Sequence, residues 1–545
     1  MSMTRRSLTH ALAGVKEIMM KLFLFNLFIL FTSCVAAEQK NKPLNLLLLM
    51  TDQHRGDSLG AAGANWVKTP NLDHLAKEGM LFERGYASIP SCIPARTSLL
   101  TGRSPWGHGL LGYVEVPDYP VEMAKTLTAA GFRTHAVGKN HFSPMRNKHG
   151  YQTVELEEGW HTARSGIHAF EAKNRLKPFK DEDKCDYTLW FEKQMPGKSL
   201  NASGLGYTDH RGGHPFPYEE RLHPTNWTAD RAVDFLKKHQ VGSRWFLKVS
   251  FQRPHPPFDP PKRFLDHYAT NPTIPMPVVA RWAEKKYGHA KSSLEKRPNA
   301  TNGVFPENEI RASRYAYYSM INHVDEQVGK VIQALKERGE LENTLIIYCS
   351  DHGDMMGDHH MWRKCRAYEG SARVPIIIRW PKSMGWNDQR GQVRQELVEL
   401  RDIFPTFLDA AGLPKPDVVD GLSILDILRG NKWRSILDLE HSRIYEKDNA
   451  WIALTDERYK YIYFHHTGQH QLFDLKNDPA ETVDLCVDVK NSKLIASWRQ
   501  KMIDHLSIRG EKWVKDGQLV IHKKAINFGD NHPRNKRKQP DETKK

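Results

Sequence analysis

Residues 44–50, Leu-Asn-Leu-Leu-Leu-Leu-Met, form a short apolar run that ends just before Asp52 and Gln53. A run of this kind is typical of a strand that is buried on both faces of a parallel sheet. The next signal is Thr69-Pro70, which predicts a helix with Thr69 as its cap and Pro70 at its first position. The stretch therefore predicts the first strand–helix unit of an α/β protein.

The same alternation recurs along much of the chain. Further strands are predicted over Thr134–Val137, Trp245–Phe251 and Thr344–Cys349, and a long amphipathic helix over Tyr315–Lys336. Such alternation indicates a layered α/β domain with a parallel sheet. Residues 151–240 and 256–310, rich in proline, glycine, aromatic and charged residues, are predicted to be insertions around a site.

The pattern changes after about residue 440. Short alternating segments are predicted as strands of a small antiparallel sheet, with a helix after them: Trp451–Leu454, Lys460–His465, His470–Leu475 and Ser492–His505. The predicted division of the chain is a signal peptide (1–37), a catalytic domain (38–435), a C-terminal subdomain (436–525) and a basic, disordered tail (526–545).

The N-terminal segment indicates export. Leu22–Phe31 is an apolar run, too short for a bilayer, which needs about 20 residues, but typical of a signal peptide. Val35-Ala36-Ala37 suits an ordinary signal peptidase, whereas Phe31–Cys34 resembles a lipoprotein box in which Cys34 carries lipid. We expect a periplasmic or secreted protein, attached to a membrane only if Cys34 is lipidated.

Composition narrows the function classes. A hydrophobic content of 39% and a charged content of 26% are ordinary for a globular protein. The net charge of +15 favours polyanionic partners. No nucleic-acid-binding module is visible, so nucleic acid is not an expected partner. Apart from Cys34 and Cys92, the cysteines (Cys185, Cys349, Cys365 and Cys486) have neither disulfide-framework nor zinc-site spacing, and we expect buried thiols.

Charged or imidazole residues follow four of the predicted strands. They are Asp52 and Gln53, Lys139 and His141, Arg253 and His255, and Asp351 and His352. In an open parallel sheet, ligands bind beyond the carboxyl ends of the strands. Two carboxylates and an amide suit Ca²⁺ or Mg²⁺, whereas the imidazole of His352 favours Mn²⁺ or Zn²⁺.

One motif makes this pattern specific. Cys92-Ile93-Pro94-Ala95-Arg96, followed by Thr-Ser-Leu-Leu-Thr-Gly-Arg, resembles the signature of type I sulfatases. In that family a dedicated maturation enzyme reads Cys-x-Pro-x-Arg and oxidises the cysteine to formylglycine. Further blocks match in family order: Gly138–His141, Ser350–His359, Lys364–Glu369, Arg373–Pro375, Leu472–Leu475 and Asp478–Glu481. The chain is similar to bacterial polysaccharide sulfatases from residue 44 to about residue 490.

The resemblance implies an alkaline-phosphatase-like α/β sandwich: a large, mostly parallel central sheet flanked by helices, plus the small C-terminal antiparallel sheet. It also implies one Ca²⁺ ion, held by Asp52, Gln53, the modified Cys92, Asp351 and His352.

Two residues depart from the commoner pattern. Many relatives have a second Asp where this chain has Gln53, which removes a negative charge from the metal site. Gln at this place also occurs in relatives that cleave phosphonate monoesters and phosphodiesters. Ala95 replaces the commoner Ser.

By matching position, the resemblance also assigns the nucleophile. The hydrated aldehyde of modified Cys92 carries two hydroxyls, and the metal and Arg96 favour the ionised form of the one that attacks sulfur. Lys139, Lys364 and the metal hold the sulfate oxygens as the ester bond breaks.

Two histidines are candidates for proton transfer. His255 is the candidate general acid for the leaving alcohol, with Lys364 as a partner. His141 is the candidate base that deprotonates the second hydroxyl and so releases sulfate. The segment Gly357–His360 either contacts substrate or serves packing.

Three functions follow as hypotheses. The first is a sulfuric ester hydrolase of the arylsulfatase type, acting on a sulfated carbohydrate such as ulvan, carrageenan or glycosaminoglycan oligosaccharides. The second is a phosphonate monoester or phosphodiester hydrolase, motivated by Gln53. The third is a non-catalytic carbohydrate-binding homologue, in which Cys92 would stay unmodified.

Overall fold

The run at residues 44–50 becomes the middle of the central sheet. The computed structural model describes residues 20, 43–113, 116–142, 144–158, 184–200, 202–205, 212–270, 273–288, 300–446 and 448–536. Residues 45–545 form one compact unit. Apart from Met20, the signal-peptide prediction (1–37, with Cys34) lies outside the described residues. Within those residues, no helix combines the length and the apolarity needed to cross a membrane.

The strands within the described residues are β1 (Asn45–Asp52), β2 (Met80–Phe82), β3 (Gly85–Tyr86), β4 (Arg133–Gly138), β5 (Thr153–Leu156), β6 (Trp245–Pro254), β7 (Thr344–Ser350), β8 (Ile376–Arg379), β9 (Gln392–Arg394), β10 (Val398–Glu399), β11 (Leu437–His441), β12 (Trp451–Thr455), β13 (Tyr459–Phe464), β14 (Gln469–Asp474), β15 (Val514–Lys515) and β16 (Gln518–Leu519).

The helices there are α1 (Pro70–Lys77), α2 (Cys92–Thr101), α3 (Pro105–His108), α4 (Met123–Ala129), α5 (Asp186–Gln194), α6 (Pro224–Lys238), α7 (Lys262–Thr270), α8 (Arg281–Tyr287), α9 (Glu307–Glu337), α10 (Glu369–Ala372), α11 (Ile403–Ala410), α12 (Leu425–Leu428), α13 (Ser492–Ser507) and α14 (Pro533–Lys536).

Eight strands form the central sheet in the order β5-β4-β6-β1-β7-β8-β2-β9. β1 runs parallel to both neighbours, β6 and β7, and β8 is antiparallel to β7 and β2. Every residue of β1 is buried because both faces are covered. The mostly parallel sheet confirms the predicted fold class.

Helices cover the sheet on both sides. Leu47 and Leu49 point into a core that includes Val324 and Val328 of α9. On the opposite face, Phe246 of β6 packs against Phe407 of α11, with ring centroids 5.5 Å apart. Burying each such side chain contributes about 1.5–3 kcal/mol, so β1 is held firmly and fixes the residues that follow it.

The predicted antiparallel sheet is present as the meander β11-β12-β13-β14. Alternate residues of β12 face opposite ways. Ile452 and Leu454 pack with Trp498 and Met502 of α13. Trp451 and Ala453 pack in the core that includes Tyr368 of the catalytic region. This sheet is therefore buried on both faces, and its loops lie against the larger sheet's site.

Several expectations need correction. Residues 151–240 are not only insertions, because α6 within them packs on the central sheet. Thr69 is the N-cap residue of α1 and Pro70 its first residue, as predicted, but the Thr69 hydroxyl makes no cap hydrogen bond. It accepts from the Gly60 amide and donates to Asp73. The short sheet strands β2, β8 and β9 were not predicted, because three or four residues carry too little periodicity.

The expected disordered tail is also wrong for its first part, up to residue 536. The Gly529 amide donates to the Gly109 carbonyl at 2.7 Å, and the Leu111 amide donates to the Asn527 carbonyl at 3.0 Å. His532 is buried against this segment. Backbone pairing orders a polar segment that lacks a hydrophobic pattern. Residues 537–545 lie outside the described residues.

Candidate active site

The two metal-candidate aspartates meet because their strands are parallel neighbours. Asp52 is the last residue of β1, and Asp351 directly follows β7. The backbone N–H of Gln53 donates to Asp351 Oδ1 at 3.1 Å, and this hydrogen bond joins the two strand ends. Asp52, Asp351 and His352 are all fully buried, so their charges need compensation inside the protein.

Cys92 is the first residue of α2, a helix that is buried along its whole length. Its Sγ lies 3.2 Å from His352 Nε2, 3.4 Å from Asp52 Oδ2 and 2.8 Å from Lys364 Nζ. A helix N-terminus favours an anion because its backbone N–H groups have no partners inside the helix. Residue 92 therefore lies at the centre of the site, where the helix N-terminus and the Lys364 ammonium give a positive electrostatic potential.

Four side chains could hold a metal ion together. The ligand atoms of Asp52, Cys92, Asp351 and His352 all lie within 4.8 Å of one another. Burial and the negative charge of Asp52 raise the pKa of Asp351, which shows that the two carboxylates repel each other. A divalent cation would relieve that repulsion, and two carboxylates with an imidazole are donors that Ca²⁺ or Mn²⁺ accepts.

His352 stands between the carboxylates, with Nε2 3.2 Å from Asp52 Oδ1 and 3.5 Å from Asp351 Oδ1. Burial lowers its pKa, but the charges of Asp351 and Cys92 and the hydrogen bond with Asp52 together outweigh burial and raise the pKa to about 9. Its Nδ1 faces the Gly353 carbonyl at 2.8 Å, so Nδ1 carries a hydrogen and Nε2 is the nitrogen available to a cation.

Gln53 borders this cluster. It has a left-handed backbone with φ 78, and its Nε2 donates to Asp354 Oδ2 at 2.7 Å. Because that hydrogen bond fixes the amide nitrogen, the side-chain oxygen is the atom that could reach a cation. Its role as a ligand stays a prediction.

Two lysines set the charge around residue 92. Lys139 Nζ lies 2.5 Å from Asp52 Oδ2. Burial would raise the pKa of Asp52, but the ammonium of Lys139 holds it well below its ordinary value. Burial and Asp52 would raise the pKa of the Cys92 thiol, but Lys139 and Lys364 bring it down to about 6. The site therefore favours an anion at position 92.

Arg96 ties three segments of the site together. One turn after Cys92 on α2, its Nε donates to Asp351 Oδ2 at 2.8 Å. Its Nη1 donates to the Lys139 carbonyl at 2.6 Å and to Ser250 Oγ at 2.9 Å. Its guanidinium is buried, so these contacts fix the positions of Asp351 and Lys139 relative to the helix.

His141 follows β4 in a left-handed conformation with φ 57. Its amide donates to Glu158 Oε1 at 2.9 Å, and among the described residues its buried Nδ1 has no hydrogen-bond partner. Burial and the charge of Lys139 lower its pKa to about 3. His141 is therefore a neutral imidazole with a nitrogen available to accept a proton.

His255 follows β6 and is buried. Its Nδ1 lies 2.8 Å from the Pro256 carbonyl, so Nδ1 carries the hydrogen. Burial and the charge of Lys364 lower its pKa well below the ordinary value, although Asp52 acts in the opposite direction. Asp52 of β1 pairs with Pro254 of β6, the residue before His255, so His255 lies at the same end of the sheet as Asp52.

The structure therefore brings the predicted site residues to one end of the central sheet. Sequence reasoning missed Ser250 and Glu158, although Glu158 lies just beyond β5 and the strand-end rule could have found it. In the segment Gly357–His360, Asp358 has a packing role, since it pairs with Arg55 at 2.7 Å and with Arg314 at 2.8 Å. Contact of this segment with substrate stays a prediction.

Family models match most of the chain. A model described as Sulfatase matches residues 44–413. A second, described as N-sulphoglucosamine sulphohydrolase, C-terminal, matches residues 357–507. The first match includes all the site residues that meet at the end of the sheet, and the second includes Lys364.

Curated proteins and solved structures agree with these matches. An arylsulfatase from Clostridium perfringens is 37% identical over 87% of this chain and 97% of its own length. An ulvan-active sulfatase from Formosa agariphila is 29% identical over 72% of this chain and 66% of its own.

The fold is similar to the crystal structure of a phosphonate monoester hydrolase from Agrobacterium radiobacter. The TM-score is 0.68 at 24% identity, with 88% of this chain and all of that chain covered. Because the sulfatase model covers well over half of the chain and the arylsulfatase aligns almost from end to end, this protein belongs to the type I sulfatases of the alkaline phosphatase superfamily and is a sulfuric ester hydrolase.

Proposed function

We propose that this protein is an exported sulfatase that removes sulfate from a sulfated carbohydrate, with residue 92 oxidised to formylglycine as its nucleophile. The observation that carries the proposal is the position of Cys92 Sγ, 2.8 Å from Lys364 Nζ and 3.2 Å from His352 Nε2. The relative named an ulvan-active sulfatase supports a polysaccharide substrate, and the basic net charge of +15 suits a polyanion.

Oxidation of residue 92 changes what the position can do. Its hydrated aldehyde would supply two hydroxyls, one to attack sulfur and one whose deprotonation releases sulfate. Arg96 holds the helix that presents residue 92 against Asp351. Lys139 and Lys364 bind the sulfate oxygens, where negative charge must be balanced as the bond breaks.

The proton transfers fall to the two histidines. His141 accepts a proton from the second hydroxyl, since it is neutral and its Nδ1 is available. His255 gives a proton to the leaving alcohol. Burial and Lys364 hold the pKa of His255 low, but the negative charge of a bound sulfate ester opposes Lys364 and favours the protonated form.

A divalent cation completes the proposal. Asp52, Gln53, Asp351, His352 and residue 92 would hold it, and when bound it would polarise a sulfate oxygen and favour ionisation of a hydroxyl. Ca²⁺ is the ion that the family resemblance implies, and the imidazole of His352 makes Mn²⁺ the alternative.

The test uses protein made in a host that contains a formylglycine-generating enzyme. Sulfate release is measured on 4-nitrophenyl sulfate and on a panel of sulfated oligosaccharides from ulvan, carrageenan and glycosaminoglycans. A peptide mass spectrum reports residue 92. We expect formylglycine and turnover of at least one sulfated saccharide. An intact thiol in protein from the native host would contradict the nucleophile and favour the carbohydrate-binding alternative.

Export is tested separately. Residues 22–37 support it by their apolar run and small-residue end. Cell fractionation should find the protein in the periplasm or the medium, or in a membrane fraction if Cys34 is lipidated. Retention in the cytoplasm would contradict export without bearing on the chemistry.

Gln53 favours one alternative substrate class. Gln at this place occurs in relatives that cleave phosphonate monoesters and phosphodiesters, and the fold is similar to that of a phosphonate monoester hydrolase. Turnover of 4-nitrophenyl sulfate and 4-nitrophenyl phenylphosphonate by wild type and Gln53→Asp decides the matter. If wild type strongly prefers the phosphonate, the carbohydrate sulfatase proposal is wrong.

A further inference from the structure

The described residues of the loop between β11 and β12, 442–446 and 448–450, lie on the segment that carries Lys364. Asn449 Nδ2 donates to the Cys365 carbonyl at 2.9 Å, and Arg366 Nη1 donates to Glu446 Oε2 at 3.1 Å. Lys364 Nζ contacts Cys92 Sγ. The loop from the small sheet therefore forms part of the wall beside the reacting residue.

Two residues of this wall hold each other. The Arg363 guanidinium carbon lies 4.7 Å from the ring centroid of Tyr445, within the range of a cation–π contact. Both have left-handed backbones, with φ 71 for Arg363 and φ 67 for Tyr445. The Arg363 amide donates to Asp354 Oδ1 at 2.9 Å, and its carbonyl accepts from the Met355 amide at 2.8 Å. Their surroundings impose these conformations, since non-glycine residues avoid them.

Arg363 directly precedes Lys364 in the chain, and Lys364 Nζ lies 2.8 Å from Cys92 Sγ. The stacked pair of Arg363 and Tyr445 therefore belongs to the same wall that brings Lys364 to residue 92.

This group differs chemically from the lysines. A guanidinium presents a planar fork of N–H donors that matches carboxylate or sulfate oxygens. The ring of Tyr445 beneath it sets its orientation. In the proposed function Lys139 and Lys364 bind the sulfate that is cleaved, so Arg363, one residue before Lys364, is the candidate for a second group on the same sugar.

We propose that Arg363, stacked on Tyr445, binds a second anionic group on the sugar that carries the scissile sulfate. That group is a carboxylate or a further sulfate. The inference rests on the proposed function and narrows it, because it makes an acidic saccharide, and not a neutral monosulfated one, the preferred substrate class.

The experiment compares kcat/KM for three monosaccharide sulfates that differ in one group: a neutral monosulfate, a sulfated uronic acid and a disulfate. 4-Nitrophenyl sulfate is the reference. We expect wild type to prefer at least one acidic sugar over the neutral one by tenfold or more. Arg363→Gln should lower that ratio about 10- to 100-fold, since a charge-assisted pair is lost. Arg363→Lys should restore part of it.

The matched control is Arg311→Gln, at the surface end of α9, where Arg311 pairs with Glu307. It should keep the wild-type ratio. Thermal unfolding of each variant shows that the fold is retained. A ratio within twofold of wild type in Arg363→Gln, or a wild type without preference, overturns the proposal.

Binding gives a readout that does not need turnover. In Cys92→Ala protein, calorimetry should show the Kd of the acidic sugar rising at least tenfold when Arg363→Gln is added. An unchanged Kd overturns the proposal. Loss of turnover on every sulfate, 4-nitrophenyl sulfate included, with this Kd effect intact, would contradict the proposed function and leave the anion site standing.

Discussion

Two regions surround residue 92, and they are built in different ways. The first is the end of the central sheet, where Asp52, Lys139 and Asp351 directly follow or end strands. The second is the wall made by Arg363 and Tyr445, which lie in left-handed loop conformations outside any strand. At the carboxyl ends of the strands, the strand register fixes the positions of the side chains. In the loop wall, those positions depend on individual contacts. The first region suits chemistry that must not vary, and the second suits selection of substrates.

The largest expected effect comes from a substitution at residue 92, the centre of the site at the end of the central sheet. Cys92→Ala removes the nucleophile, so sulfate release should fall at least about 10⁴-fold. Cys486→Ala, a cysteine in the small subdomain, is the control and should keep activity. Sulfate is measured by ion chromatography and the fold by thermal unfolding. More than about 1% residual activity in Cys92→Ala would contradict the assignment.

Removing the metal should have the next largest effect. Chelation should abolish turnover, and Ca²⁺ or Mn²⁺ should restore it. His352 has a raised pKa of about 9 in the ion-free protein, so it holds a proton there at neutral pH. Binding must expel that proton, and the apparent affinity should rise with pH, by up to about tenfold per unit below pH 9.

Calorimetry in two buffers of different ionisation enthalpy counts the released protons. About one proton per ion is expected at pH 7. Asp351→Asn serves as the control, since it should bind the ion weakly at every pH. Affinity that is independent of pH between 6 and 8 would contradict His352 as a ligand.

His255→Ala separates the proton donor from the rest of the site. When sulfate is cleaved from a sugar hydroxyl, the leaving oxygen needs a proton, whereas nitrophenolate leaves without one. We expect a loss of about 10²- to 10⁴-fold on a saccharide sulfate and a much smaller loss on 4-nitrophenyl sulfate. Equal losses on both substrates would argue against this role.

Weakening a contact in the loop wall should change the preference among substrates more than the rate of sulfate cleavage itself. Glu446→Gln weakens the contact with Arg366, whose side chain is only 3% exposed. We expect kcat/KM on saccharide sulfates to fall about 3- to 10-fold, in keeping with a contact worth about 1 kcal/mol. The fall on 4-nitrophenyl sulfate should be smaller. Glu284→Gln, in a surface pair with His360, should change neither.

The smallest effect on turnover is expected at the tail contact, where stability should respond instead. A Cβ on Gly109, at φ +73, would lie 2.3 Å from the His532 amide. Gly109→Ala should lower the free energy of unfolding by about 2–4 kcal/mol. Gly63→Ala has a similar φ of +92 and open space around it, so it should cost only about 1–2 kcal/mol. Equal losses in denaturant titrations would contradict the packing of the tail.

The part of the site at the end of the central sheet could be predicted from sequence, because the patterns that indicate it are local. An apolar run that ends at Asp52 is visible in the residues themselves, and parallel strands place their ends together. The Cys92–Arg96 motif is equally local. The wall of Arg363 and Tyr445 could not be predicted in this way, because the two residues are far apart along the chain and meet only in the folded protein.

The same limit explains the other misses. The order of the tail depends on backbone hydrogen bonds such as the one between Gly529 and Gly109. Backbone hydrogen bonds of this kind leave no pattern in the side chains from which they could be predicted. The short strand β8 depends on its neighbours, β7 and β2, for its pairing. Local propensity predicts elements that are stable through their own pattern, and tertiary contacts decide the rest.

The burial of Cys92 also has a consequence for how the protein is made. Residue 92 is 1% exposed, and the contact between Gln53 and Asp351 joins positions 298 residues apart. During synthesis the chain cannot close this end of the sheet until β7 has left the ribosome. A maturation enzyme that reads residues 92–96 would find them accessible in that interval and enclosed afterwards. The order of the strands along the chain would thus set a time window for the proposed oxidation of residue 92, and faster folding would shorten it.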